Sequence, residues 1–208
     1  MSFIVKELTP QKKRADRFNV FTDDGFLMSL SSETIVREKL KEGSEISEED
    51  AERLRLNDTY VFAKELAANY IGYSMRTRKQ LEDYLTRHGI DDATVEKTAD
   101  LMAGYGYIDD EAYAKELMRS YGAKLGKRAL RSKMLEKGLG ASTIEKAMGE
   151  LSDDDECAAA KQLIEKLSEK YKDVPEPKKK QRIYGALSRK GFSYSVFRDL
   201  LNGDGDDY

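Results

Sequence analysis

Ala63-Lys64-Glu65-Leu66 returns as Ala114-Lys115-Glu116-Leu117 and again, with one change, as Ala160-Lys161-Gln162-Leu163. Each copy is followed by the same second landmark, an apolar residue four places before a glycine and another directly after it. The sets are Leu85, Gly89 and Ile90; Met134, Gly138 and Leu139; Leu187, Gly191 and Phe192. A glycine in the left-handed conformation ends a helix, and apolar residues at these offsets make the hydrophobic contact of a Schellman cap. Beyond each glycine a further helix begins, carrying an apolar residue six positions on, at Val95, Ile144 and Phe197. Asp91 or Asp92 suits the cap of that helix in the first copy, and Ser142 with Glu145 reads as a capping box in the second. Ile144, Ala147, Met148 and Leu151 then keep helical period. Each copy therefore reads as three helices, and copies about 50 residues apart that cannot each hide an apolar face should lean on one another.

Outside the repeats the pattern changes. Residues 17–22 and 26–30 flank Asp23-Asp24-Gly25, a hairpin turn signal, and a third strand is expected over 3–8. A short helix over 32–41 should stop at Gly43, and a chain rising from Ser47 and Asp50 leads through an acidic run into the first repeat. Asp173-Val174-Pro175-Glu176-Pro177 interrupts the third copy, so the lysines at 178–180 read as loop. The resulting expectation is a mainly α chain of tandem three-helix-bundle repeats, forming an elongated curved array, with a small N-terminal β-hairpin extension. The boundaries are 1–30 for the hairpin extension, 31–57 for short helices and acidic linker, 58–105, 106–152 and 153–203 for the three repeats, and 204–208 for an acidic tail.

Composition agrees with thin helical units. The 208 residues hold 36 Lys and Arg, 39 Asp and Glu, three Pro, no Trp, one Cys and one His. One thiol excludes an internal disulfide, and Cys157 with His88 supplies too few soft ligands for zinc. Cys157 shares a stripe with Ala160, Ile164 and Leu167, which favours packing over nucleophilic chemistry. His88 precedes a helix-ending glycine, where Lys137 and Lys190 stand in the other copies, so it reads as a helix cap and not as a catalytic group. No stretch is long and apolar enough for a signal peptide or a membrane span, and the cytoplasm is the expected compartment.

Catalytic motifs fail on inspection. Gly122 to Arg128 is one residue short between its glycines for a phosphate loop and has Arg where Ser or Thr is needed, so an ordinary interhelical turn is preferred. Gly104-Tyr105-Gly106 lacks the third glycine and the strand of a dinucleotide site, and reads as a flexible turn. Asp109-Asp110 and Asp153-Asp154-Asp155 each precede a helix and read as caps more readily than as a metal site. No cofactor and no enzymatic activity are expected. Tyr70 and Tyr73 beside Arg76 and Arg78 suit stacking on bases, although Tyr60, Ala63, Ala67 and Tyr70 also share one helix face.

The net charge of −3 hides segregation into blocks. Six acids and no base lie between Glu42 and Glu52, whereas bases cluster at Lys12, Lys13 and Arg14, at Arg76, Arg78 and Lys79, along 119–137, and along 178–190. Recurring basic faces suit a polyanionic partner.

Gly106-Tyr107-Ile108-Asp109-Asp110-Glu111-Ala112-Tyr113-Ala114, followed by Gly126, Leu130 and Leu135-Glu136-Lys137-Gly138-Leu139, resembles the central signature of the bacterial RecX regulatory family. Arg76-Thr77-Arg78-Lys79-Gln80-Leu81 with Tyr84, Leu85 and Gly89 resembles it too; Thr77 and Gln80 stand where the family usually shows Ser and Glu and preserve a capping box. The likeness is strongest over 60–148, stays in register to 201, and the hairpin is similar to the N-terminal extension of longer members. The resemblance implies a non-enzymatic modulator of the RecA recombinase, lying in the groove of the RecA filament on single-stranded DNA. Members typically inhibit filament growth, and so ATP hydrolysis, strand exchange and the co-protease activity behind the SOS response, within homologous recombination and DNA repair. Of the motif residues that carry over, Arg76, Tyr107, Asp109, Asp110, Tyr113, Gly126 and Gly138, most look architectural. The expected RecA and DNA contacts are Arg76, Arg78, Lys79, Lys124, Lys127, Arg128, Arg131 and Lys133, the α-helical ones projecting away from Leu130 and Met134. The expected partners are the RecA filament and single-stranded DNA, reached directly or through RecA, with no membrane and a monomeric chain. A general single-strand DNA-binding protein and a protein-only helical scaffold remain open as rivals.

Overall fold

The computed structural model describes residues 2–12 and 14–202, so Lys13 and the acidic tail expected at 204–208 lie outside the described residues. The chain begins with strands β1 (Ser2–Ile4), β2 (Glu7–Gln11), β3 (Arg14–Thr22) and β4 (Gly25–Ser31), followed by helix α1 (Ser32–Arg37) and strand β5 (Glu45–Ser47). Helices α2 (Glu48–Gly72), α3 (Arg78–Arg87) and α4 (Asp92–Gly104) come next. They are followed by α5 (Asp110–Tyr121), α6 (Lys127–Glu136) and α7 (Ala141–Gly149), then α8 (Asp153–Lys170), α9 (Glu176–Arg189) and α10 (Tyr194–Asn202). The residues group into two compact units, Met1–Ser74 with Leu81–Tyr107, and Met75–Gln80 with Ile108–Tyr208.

In the first unit β2, β3 and β4 form an antiparallel sheet, and the hairpin closes at Asp23-Asp24 with Gly25 at positive φ. The strand expected over 3–8 is instead two strands in different sheets, since β1 pairs with β5. The cause is backbone pairing at the break: the Val5 N–H donates to Ser44 O at 2.9 Å, while the Lys6 N–H donates to Phe21 O at 2.8 Å. Pro10 lies on the edge strand β2, where its missing donor costs least. Helix α1 stops at Arg37 and not near Gly43, because Lys39 takes the left-handed position at φ 54° and Leu40 N–H closes the turn on Ile35 O. The segment expected as acidic linker is helical. Ser47 caps α2 by accepting from Asp50 N–H, Glu48, Glu49 and Asp50 favour the positive N-terminal dipole, and no glycine or proline breaks the helix before Gly72. Its first half packs Ala51 and Leu54 against Val5, Val20, Met28, Leu30 and Ile46. Asp58, 4% exposed, ties the same elements together by accepting from Ser31 N–H (2.6 Å), Thr34 Oγ1 (3.2 Å) and Arg17 Nη2 (2.7 Å).

The three-helix repeats are α2–α3–α4, α5–α6–α7 and α8–α9–α10. Gly89, Gly138 and Gly191 have φ of 78°, 78° and 82°, and the residue after each donates to the carbonyl five places back, Ile90 to Leu85, Leu139 to Met134 and Phe192 to Leu187. All six of those apolar residues are buried. Gly106 makes the same ending at φ 74°, with Tyr107 N–H on Met102 O, so the segment read as a flexible turn is a fixed helix stop. Two local expectations shift. The N-cap of α7 is Gly140 rather than Ser142, which lies inside the helix, and Glu145 turns to Arg131 instead. The lysines at 178–180 lie in α9, because Pro175 takes the N-cap and Pro177 the first turn, where a missing N–H costs nothing.

Candidate functional site

Second helices carry most of the basic blocks, and within the second unit their ends meet by one rule used twice. Thr77, fully buried, accepts from Gln80 N–H at 3.2 Å, while Gln80 Oε1 accepts from Thr77 N–H at 3.1 Å, giving the capping box expected at the start of α3. The Thr77 hydroxyl also donates to Lys137 O, at 2.6 Å, at the end of α6. At the start of α6 the Gly126 N–H donates to Lys190 O, 3.0 Å away, at the end of α9. A positive helix N-terminus thus meets a negative C-terminus at both joints. A carboxylate from the following repeat completes each: Arg78 N–H donates to Asp110 Oδ1 at 2.9 Å, and Lys127 N–H to Glu156 Oε1 at 2.8 Å. Thr77 and Gly126 both stand 12 before a helix-ending glycine, and Asp110 and Glu156 both stand four before the repeated alanine. That shared offset is the sequence signal for the joint.

Close packing explains the glycines. A Cβ on Gly126 would strike Gly191 O and Phe192 N, and one on Gly138 would strike the Lys79 side chain. Thr77→Val is expected to destabilise the protein by about 2 kcal/mol in urea unfolding, since it leaves the Lys137 carbonyl and the Gln80 N–H without their buried partner. Unchanged stability would remove Thr77 from the joint.

The sequence-predicted contacts divide between joint and surface. Arg76 is half-buried, Arg78 lies at the α3 start and Lys79 packs over Gly138. Lys127 Nζ pairs with Asp153 at 2.6 Å, which raises the lysine and lowers the aspartate from their ordinary pKa values. The pair is therefore intact at neutral pH and lost only below the depressed Asp153 value or above the raised Lys127 value. Arg128 Nη2 donates to Ser188 O at 2.8 Å, Arg131 pairs with Glu145, Lys124 Nζ donates to Ser120 O at 3.2 Å, and Lys133 Nζ sits 4.5 Å from the Tyr121 ring centre. Of the motif residues, Asp109 caps α5 through Ala112 N–H, Tyr113 packs on the second-repeat core, and Tyr107 is exposed. The acidic run at 153–155 is the first turn of α8; its cap is Ser152, in a capping box with Asp155. Gly122 to Gly126 form the turn between α5 and α6, and Lys127 and Arg128 open α6.

The lysines expected in a loop at 178–180 stand on α9. Lys178, Lys180, Arg189 and Lys190 are exposed and have no carboxylate partner among the described residues. The joint sets Arg128 on Ser188 O and Gly126 N–H on Lys190 O, so Arg189 and Lys190 at the end of α9 lie beside the basic start of α6. The arrangement suits an extended polyanion. Among the described residues no helix is long and apolar enough to cross a membrane, and no cluster of three or more His, Cys, Asp and Glu could hold a metal ion.

Comparison with known proteins follows the same divisions. Residues 4–47 match the regulatory protein RecX N-terminal domain, and 63–100, 109–148 and 153–201 match the first, second and third RecX three-helix domains. The chain is 30% identical to regulatory protein RecX of Clostridioides difficile (strain 630), over 96% of this chain and 94% of that one. It is 30% identical to regulatory protein RecX of Bacillus subtilis (strain 168), over 97% of this chain and 77% of that one. A crystal structure of regulatory protein RecX superposes with a TM-score of 0.70 at 26% identity, covering 97% of this chain and all of that one. That of RecX from Lactobacillus salivarius gives 0.63 at 25% identity, covering 71% and 97%. Matching domains in order along the chain, a relative of near-equal length and a shared fold lead to one conclusion: the chain belongs to the RecX family of regulatory proteins.

Proposed function

We propose that this chain is a non-enzymatic regulator that binds the RecA filament on single-stranded DNA and inhibits its ATPase, recombinase and co-protease activities, acting in the cytoplasm as a monomer in DNA repair and the SOS response. Family membership supports the regulatory role. The observation that carries the binding mode is the joint at which α6 abuts α9, because it brings Arg189 and Lys190 at the end of one helix beside Arg128 at the start of the other. A strip of this kind follows a phosphate backbone or an acidic protein surface over several repeats, which no single three-helix unit could do. Arg128, Lys178, Lys180, Arg189 and Lys190 are the residues assigned to it, with Arg78 and Lys79 at the α3 joint and Lys124, Arg131 and Lys133 alongside. Lys127 serves the joint through Asp153 and Glu156.

Co-sedimentation tests the partner. The chain should pellet with RecA assembled on single-stranded DNA more strongly than with either component alone. Equal binding to naked DNA, falling steeply with salt, would instead support the general single-strand binder. Binding to RecA that is indifferent to DNA would support the protein-only scaffold.

A further inference from the structure

Between α2 and α4, wholly inside the first unit, lies a groove of about 730 Å³. Its floor is Ala68, Ile71 and Gly72 from one helix and Leu101 and Met102 from the other. Tyr105 and Tyr107 form one rim; they are 67% and 63% exposed, with ring centres 6.0 Å apart and edge-on. At the other end Lys64 and Lys97 direct their ammonium groups at one ring, 5.3 and 4.1 Å from the centre of Tyr60. Neither lysine has a carboxylate partner among the described residues. The groove thus joins an apolar floor, a tyrosine rim and a concentrated positive charge, and the basic strip of the second unit uses none of it.

The chemistry of the lining selects the occupant. Ala68, Ile71, Leu101 and Met102 offer no hydrogen-bonding side chain, so a base edge seated there would lose its water partners without replacement. An apolar side chain loses nothing there and gains burial. The lysine pair calls for carboxylates beside that anchor. We propose that the groove between α2 and α4 docks an acidic peptide segment of a partner protein, which inserts one aromatic or branched aliphatic side chain over Ala68 and Leu101 while flanking carboxylates meet Lys64 and Lys97. Tyr105 and Tyr107 close over the anchor, a role that removes Tyr107 from the architectural residues. The proposal goes beyond the filament reading and does not depend on it.

The test is methyl-detected NMR on the full-length chain, with the end-blocked probe Asp-Glu-Phe-Glu-Asp. The expected result is saturable shifts of the Ala68, Ile71, Leu101 and Met102 methyls. Ala68→Glu and Lys64→Glu, both at accessible positions, should each weaken the probe about tenfold with unchanged circular dichroism. Replacing the probe's Phe by Ala, or its acids by Lys, should abolish the shifts. No groove shift at millimolar probe, equal shifts from the basic probe, unaltered binding in both variants, or shifts from pentathymidylate as strong as those from the peptide would each overturn the proposal. RecA and its filament are absent from the experiment, so failure here leaves the filament reading to its own tests.

Discussion

Gly126→Ser is expected to lower unfolding free energy by about 2 kcal/mol, while Gly140→Ser should leave it unchanged or raise it by about 0.3 kcal/mol. The two glycines are matched. Each is the N-cap of a second-repeat helix, with φ and ψ of −73° and 163° at Gly126 and −68° and 153° at Gly140, and neither supplies a side-chain cap. A serine hydroxyl would improve the cap at either place on local grounds. They differ in what a Cβ meets: backbone atoms of Gly191 and Phe192 at Gly126, and nothing within 4 Å at Gly140. The chain at Gly126 cannot retreat without breaking the Gly126 N–H bond to Lys190 O. Urea unfolding of the two variants in parallel measures the difference, and equal stabilities would show that the ends of α6 and α9 do not meet.

The double reversal Lys178→Glu with Lys180→Glu is expected to weaken filament binding about tenfold and to flatten its salt dependence, each lost phosphate contact removing about 0.7 from the slope of log K against log salt. Its melting temperature should hold or rise, because carboxylates in the first turns of α9 suit the positive N-terminal dipole better than lysines do. Lys179 stays unchanged, since it already pairs with Glu176 at 3.5 Å. The contrasting variant reverses Lys127, Arg128 and Arg131 together. On sequence grounds that change spares the fold; in the structure a carboxylate at position 127 faces Asp153 and Glu156, and one at 131 faces Glu145. It should therefore lower the melting temperature as well as binding. Full binding by the α9 variant, measured at one fixed salt concentration, would remove that helix from the contact surface.

The contrast between those variants marks how far the sequence could be read. Gly89, Gly138 and Gly191 were legible because a Schellman end is written within six consecutive residues: a left-handed glycine and two apolar partners. The joints were not, because Thr77 meets Lys137 and Arg128 meets Ser188, both 60 positions away. Nothing local to α6 says that its cations are already engaged. At the N-terminus the alternation over 3–8 announced a strand but not the change of sheet at Val5 and Lys6, which depends on Ser44 and Phe21. Lys39 in the left-handed position is a further case: sequence favours glycine there, and the turn accepts lysine because Leu40 returns to the carbonyl of Ile35. The basic blocks were legible as charge, whereas exposure and pairing separate Lys178 and Lys180, which have no carboxylate partner among the described residues, from Lys127 and Arg128, which bond across the joint.

Inhibition of the filament is read from ATP turnover by RecA on single-stranded DNA, with this chain added below the RecA concentration. Turnover should fall as the chain is added, and the chain alone should hydrolyse no nucleotide. RecA turnover that stays constant through stoichiometric addition, or hydrolysis by the isolated chain that disappears in Lys127→Ala, would contradict non-enzymatic inhibition.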